Sequence, residues 1–286
     1  MKSIAAAVVL LLAGMAGAQQ RTVHLPSSKV ILEPVPGAPQ RGGSFTATAV
    51  VSPDQKYVAF LQDGYGGEDT ELAQSIAVLD VASNKIAYFP DPRLRYDQHQ
   101  TYFQGLAFSS DGKRLFASVG SITRPTADAA VKATGNGIAV YSFENGKVAP
   151  AEFFAIAPQP IAAGKKIAHI AEHAIPQGTQ VPFPAGLAVT TVGGKEVLLV
   201  CDNYSDDVLE LDAASGQVVH RFDVSTNEWV PAAFPYAIAA NLTRAYVTLW
   251  NTSEVVELDL VKGRISRRIS VAKSRGRTAS GPHPTA

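Results

Sequence analysis

Four times between residues 44 and 271 the chain repeats one order of segments: an alternating apolar run, a tight polar turn, a second run, a gap, a third run, another tight turn and a fourth run. The runs fall at 46–51, 57–61, 75–80 and 85–89; at 105–108, 115–119, 137–143 and 147–156; at 186–190, 197–201, 207–212 and 217–224; and at 236–240, 245–249, 254–259 and 264–271. Each is short, rich in Val, Ile, Leu, Phe and Tyr, and several alternate with polar residues, the pattern of a half-buried strand. The turns read Ser52-Pro53-Asp54-Gln55-Lys56, Ser109-Ser110-Asp111-Gly112-Lys113 and Gly193-Gly194, with Ser-Asn, Asn-Gly, Ser-Gly and Lys-Gly between the third and fourth runs, all hairpin chemistry.

A four-stranded up-and-down unit repeated in tandem is a propeller blade. The expected fold class is therefore all-β, a β-propeller of four-stranded antiparallel blades at 44–90, 103–157, 184–225 and 235–271. A β-sandwich also uses short strands, but it does not return the same four-strand unit four times. Residues 281–286 read as the start of a further blade, which suggests an open arc belonging to a larger ring; a closed four-bladed ring is the alternative. The extended stretch at 30–33, within a 19–43 segment ahead of the blades, is expected to lack a firm partner.

Ahead of that segment, Lys2, the apolar run 4–13 and Ala16-Gly17-Ala18 have the form of a secretory signal peptide over residues 1–18. This implies a periplasmic or extracellular protein, and no later apolar run is long enough to span a membrane. Cys201 is the only cysteine, so packing rather than disulfides must hold the fold. With 25 basic and 25 acidic side chains there is no warrant for nucleic acid binding.

The stretch Tyr246-Val247-Thr248 within AYVTLWNTSEVVELDL resembles the signature of the YVTN-type β-propeller repeat family. SPDQKYVAF and SSDGKRLFAS are similar to that family's strand-turn-strand opening, and PAGLAV at 184–189 and PYAIAA at 235–240 to its inner-strand start. The resemblance implies seven-bladed surface-layer or lactonase-like propellers, some of whose relatives carry a C-terminal phosphoesterase domain. The repeat serves many functions, so it speaks for architecture more than for activity.

The long connections are 62–74, 90–104, 120–136, 157–185, 225–235 and 272–284, and each joins second to third strand or one blade to the next. In an up-and-down blade both kinds emerge at one face, and insertions confined to one face of a repeat protein mark its binding surface. The candidate ligand-binding residues there are Tyr65, His99, Tyr102, Asp202, Asn203, Trp229, Trp250 and Asn251, chosen as exposed aromatic and polar groups. Their partner is an unidentified small molecule or protein.

Other patterns carry less. His169-Ile170-Ala171-Glu172-His173 matches H-x-x-E-H, but no downstream helix offers a third zinc ligand. The oxygen-rich 202–207 lacks EF-hand spacing and reads as a turn. Lys262 to Arg277 holds seven basic residues and no acidic one, the pattern of a solvated outer face. Haem, phosphate-loop and nucleophile-elbow motifs are missing, so no cofactor, metal or catalytic residue is assigned. The reading is an exported non-catalytic binding or scaffold module, part of a longer protein, with a lactonase-like or phosphoesterase-associated hydrolase as the alternative.

Overall fold

The computed structural model describes residues 22–24, 30–32, 45–64, 74–94, 99–131, 133–168, 175–272 and 283–285. Two units separate, Met1–Arg41 and Gly42–Ala286. In the first, β1 (Thr22–His24) pairs with β2 (Val30–Leu32) as a two-stranded antiparallel sheet, so the stretch expected to lack a firm partner has one within its own unit.

The second unit is all-β, with four consecutive four-stranded antiparallel sheets. Blade 1 is β3 (Thr46–Val51), β4 (Tyr57–Gln62), β5 (Ser75–Asp80) and β6 (Lys85–Pro90). Blade 2 is β7 (Thr101–Phe108), β8 (Arg114–Gly120), β9 (Gly137–Glu144) and β10 (Lys147–Ala155). In the connection that follows lie β11 (Gln159–Pro160), β12 (Lys166–Ile167) and β13 (Thr179–Gln180). Blade 3 is β14 (Pro184–Val192), β15 (Lys195–Asp202), β16 (Asp207–Asp212) and β17 (Val218–Asp223). After β18 (Trp229–Val230), blade 4 is β19 (Pro235–Ala240), β20 (Arg244–Leu249), β21 (Glu254–Asp259) and β22 (Arg264–Ser270).

The first strands stand side by side, β3 against β7, β7 against β14 and β14 against β19. Among the described residues no packing of that extent joins blade 4 back to blade 1. Residues 283–285 form no strand, and the rest of the blade start expected at 281–286 lies outside the described residues.

Between the blades the core is continuous. Ala59, Leu61, Ile76 and Val78 of blade 1 meet Leu106, Leu115, Ala117, Val119 and Tyr141 of blade 2. Phe116 and Val140 meet Leu187, Leu198, Val200 and Leu209 of blade 3, and Leu199, Cys201, Val208 and Phe222 meet Val247, Leu249, Val256 and Leu258 of blade 4. Alternate residues of the middle strands of blades 2 and 3 therefore serve two different interfaces, which is why those strands are apolar on both faces.

Two motifs of the repeat acquire physical reasons. In the S-x-D turns, the Ser52 hydroxyl donates to Asp54 Oδ1 (2.7 Å) and accepts from the Tyr57 N–H (3.0 Å); Ser109 does the same with Asp111 (2.7 Å) and Arg114 (2.9 Å). The fourth turn residue has left-handed backbone, at Gln55 (φ 60°) and Gly112 (φ 69°). In the inner strands, a Cβ on Gly105 would lie 2.1 Å from the Ala185 carbonyl oxygen, and one on Gly186 would lie 2.6 Å from that of Tyr236. Glycine at this repeat position lets neighbouring inner strands close up.

Candidate functional site

Because all four sheets run up and down in order, the second-to-third links and the blade-to-blade crossings gather at one end of the second unit. There the loops are tied down by side chains that reach the next blade. Gln74 accepts from the Tyr102 N–H (2.6 Å) and donates to the Gln100 carbonyl (2.9 Å). The Asn136 amide donates to the Pro182 carbonyl, and that of Asn203 to Pro235 (3.2 Å). Asp206 accepts from the N–H groups of Ala232 (2.6 Å), Ala233 (3.0 Å) and Phe234 (2.9 Å) just ahead of β19. Each clasp satisfies backbone or amide groups that a buried loop would otherwise leave unpaired.

These clasps decide where the sequence candidates lie. Tyr102 was chosen as an exposed group, yet it is buried between blades 1 and 2, its hydroxyl 2.6 Å from that of Tyr141, which in turn donates to Asp91 Oδ2 (2.6 Å). Asp202 and Asn203 are likewise buried, because the approaches to β14 and β19 fold over the end of β15. Trp229 is 44% exposed but belongs to the parallel β12–β18 pair, with Lys166 Nζ 5.2 Å from its ring centre. His99 is exposed in left-handed backbone ahead of β7. Tyr65, and the His169/Glu172/His173 pattern, lie outside the described residues. Trp250, 39% exposed, and Asn251, whose amide donates to the Ala232 carbonyl (3.0 Å), stay together at the face beside Phe234.

What the structure adds is an aromatic belt. Phe103 lies edge-on to Phe183 (5.2 Å) and to Tyr236 (5.9 Å); Phe183 stacks on Tyr204 (4.8 Å); Tyr204 meets Phe234 (6.2 Å), Phe234 meets Trp250 (6.5 Å), and Trp250 stacks on His283 (4.4 Å). The rings come from blades 2, 3 and 4 and from the connections between them. Phe103, Tyr204, Phe234 and Tyr236 are half-buried, so the belt is part core and part surface.

Beside the inner end of the belt sits Asp63, directly after β4, with its N–H donating to the Phe45 carbonyl (3.1 Å). Its Oδ1 is buried without a hydrogen-bond partner, and burial pushes its carboxyl up to about 7. Its charge in turn raises the phenols of Tyr236 and Tyr102, which are first raised by their own burial. The amide Oε1 of Gln104, next to Phe103, is also buried and unpartnered. Blade 1 holds this strand through the Thr48 hydroxyl, which donates to the Gln104 carbonyl (2.6 Å). Asp63, Phe103 and Tyr236 therefore lie together at the long-loop mouth of the inner strands. Inner strands with almost no titratable groups gave no hint of it, because its carboxylate comes from the end of a second strand.

A second buried group is structural. Asp202 faces Asp207 across β15–β16, has both carboxylate oxygens unpartnered, and is raised far above the usual carboxylate range by burial and then by the Asp207 charge. Asp207, which accepts from Arg221 and from the Ser205 hydroxyl (2.7 Å), is pushed up to about 6 by burial. Among the described residues no three His, Cys, Asp or Glu side chains converge to hold a metal. Within the described part of the basic stretch, Arg267 pairs with Glu257 (2.8 Å) and Arg268 with Glu254 (3.3 Å) on blade 4.

No family model and no curated protein matches the chain. Solved structures do match. One from Bacteroides fragilis, described provisionally as a 6-phosphogluconolactonase, aligns with a TM-score of 0.52 at 12% identity over 87% of this chain and 62% of its own. The periplasmic gluconolactonase of Pseudomonas aeruginosa aligns at 0.52 and 15% identity over 90% of this chain and 65% of its own. This chain thus spans under two thirds of either structure. At such identities the likeness is one of fold, and with the four blades it establishes a β-propeller.

Proposed function

We propose that this chain is an exported, non-catalytic β-propeller module, akin to the YVTN-type repeat proteins, that binds a small ring-bearing ligand at the mouth on its long-loop end. The observation that carries the reading is the aromatic belt from Phe103 to Trp250, assembled from three blades at the end where the long connections gather. Half-buried aromatic rings offer large contact area at little entropic cost and serve as interface anchors. The signal-like residues 1–18 support export to the periplasm or beyond, and among the described residues no helix is long and apolar enough to cross a membrane.

Saturation-transfer NMR with benzyl alcohol, indole and phenyl glucoside tests this. Contact with the wild type that is lost in Tyr236→Leu, with the variant's circular dichroism unchanged, is the expected result. Equal contact in both proteins excludes the mouth.

A lactonase-like hydrolase is the second reading, favoured by one observation: the Asp63 carboxyl, at about 7, can hold or release a proton near neutral pH beside the Tyr236 phenol. Proton release from glucono-1,5-lactone, followed by pH-stat, separates the readings. Turnover above the spontaneous rate that disappears in Asp63→Asn establishes the hydrolase and removes the non-catalytic reading.

A further inference from the structure

The three junctions between neighbouring blades are built alike. In each, the turn between the third and fourth strands of one blade seats a glycine against a ring of the blade before. A Cβ on Gly146 would lie 2.7 Å from the Tyr57 ring, one on Gly216 2.3 Å from that of Phe154, and one on Gly263 2.9 Å from that of His220. Polar contacts hold two of these turns: Arg114 donates to the Ala213 carbonyl (2.6 Å), and His220 Nε2 lies 2.9 Å from the Gly263 carbonyl oxygen. Every junction thus joins a trailing face that receives a turn to a leading face that supplies one.

One face of each kind is left over. On blade 1, the row Val51, Val58, Leu79 and Ile86 runs beside one that holds Phe60 and Tyr88, on the side turned away from blade 2. Val51 is 58% and Tyr88 44% exposed, and apolar surface of this extent marks a place where a partner sits. On blade 4, Tyr246, Glu257 and Arg267 stand opposite one another on the side turned away from blade 3; with Arg244 and Ser266 they line a shallow cleft of about 490 Å³. Among the described residues neither face is packed against another blade as the internal faces are. Counted in register, Arg244 of the cleft corresponds to Tyr57 and Arg114, and Arg267 corresponds to His220. The cleft therefore lies where the other trailing faces receive a turn.

The two leftover faces also match in what sets them apart. Of the four turns, that of blade 1 alone has a side chain at the glycine position, Asn84 (φ 52°). Arg244 and Arg267 stand on blade 4 where Tyr57 and His220 present rings on blades 1 and 3. A Cβ that a fixed ring would exclude fits against an arginine, whose long side chain has rotamers to spare. Arg244 can donate to the carbonyl of Val81, a 52% exposed residue at the turn position that Ala213 holds under Arg114.

We propose that a second copy of this chain covers both faces, blade 1 of each copy packing on blade 4 of the other. The contact is heterologous, and two such contacts join two chains of four blades into one closed ring of eight, within the usual range for propellers. It involves the outer faces of the end blades and is independent of the mouth.

Sedimentation velocity from about 1 to about 100 µM tests the proposal, with Val51→Lys altering the leading face and Tyr246→Lys the trailing one. The wild type should shift from one chain to two as its concentration rises. Each substitution should weaken that association at least about tenfold, because each damages both junctions of the ring. Mixing the two variants should restore a two-chain species, since the intact trailing face of one meets the intact leading face of the other. The wild-type masses stand whether or not either variant folds. A wild type that stays a single chain throughout overturns the proposal, as does a ladder of species beyond two chains. A dimer that only one of the substitutions abolishes is a like-to-like contact and overturns it as well.

Discussion

Truncating Asp206 should separate the last blade from its anchor. The Asp206 carboxylate takes three backbone N–H groups ahead of β19: Oδ1 accepts from Ala233 (3.1 Å) and Phe234 (2.9 Å), Oδ2 from Ala232 (2.6 Å) and Ala233 (3.0 Å). Hydrogen bonds to a charged group contribute about 1.5–3 kcal/mol each, but the sum overstates the loss. Ala232 and Phe234 are half-buried and can turn to water once the carboxylate is gone, whereas Ala233 is fully buried and cannot. Burial also raises the Asp206 carboxyl despite the three N–H groups, so desolvation already offsets much of their gain. The backbone at Asp206 is left-handed (φ 52°), which costs an alanine roughly 1 kcal/mol more than aspartate or asparagine. Together these give about 3–4 kcal/mol for Asp206→Ala. For Asp206→Gly, which frees the backbone, the loss is about 1 kcal/mol smaller. Asp206→Asn keeps the Oδ1 bonds and loses the one from Ala232, for about 1–2 kcal/mol. Urea unfolding followed by tryptophan fluorescence reads all three. A loss below about 1 kcal/mol for Asp206→Ala would refute the clasp, and an order other than Ala, Gly, Asn would refute the partition.

Gly186→Ala places a Cβ 2.6 Å from the Tyr236 carbonyl and 2.9 Å from Ala237 Cα, and should cost about 1–3 kcal/mol in the same assay; an unchanged midpoint would mean the inner strands are not held at that distance. Asp202 is raised in the folded state, so its contribution is fully present below the unfolded value near 4 and is lost as pH rises towards the folded one. The Tm of the wild type relative to that of Asp202→Asn should therefore fall from about pH 4 upward. Equal slopes in the two proteins would place the titration elsewhere. Cys201 is buried and its thiol is raised by burial and then by Asp202 and Asp207, so Ellman's reagent should not reach it until the protein unfolds; stoichiometric labelling of the native protein would show the blade 3–blade 4 interface to be open.

The fold was legible because its signals are local. Ser52-x-Asp54 and Ser109-x-Asp111 write their turns within five residues, and Gly105 and Gly186 mark inner strands by the absence of a side chain. The topology, and with it the end that carries the long loops, follows from counting strands. The site was legible only in part, because contacts across blades decide it. Asp202 and Asn203 read as a polar link and are buried by the approaches to β14 and β19, about 20 and 30 residues away in sequence respectively. Tyr102 reads as a loop aromatic, yet it is the second residue of β7 and its hydroxyl meets that of Tyr141 in the core. Asp63 gave no signal, since its unpartnered oxygen and raised carboxyl come from burial rather than from any motif. The small β11–β13 and β12–β18 sheets were missed because two-residue strands leave no period to read.

That the long-loop end is the working end can be tested through its own chromophore. The chain has two tryptophans, so Trp229→Phe leaves Trp250 as the sole reporter, on the belt that begins at Phe103. Titrating benzyl alcohol into that protein should give a saturable change in fluorescence. Tyr236→Leu at the mouth should abolish it, while Leu242→Ser, on an exposed short turn at the opposite end, should leave it intact. A saturable signal that survives Tyr236→Leu and disappears with Leu242→Ser would contradict the account.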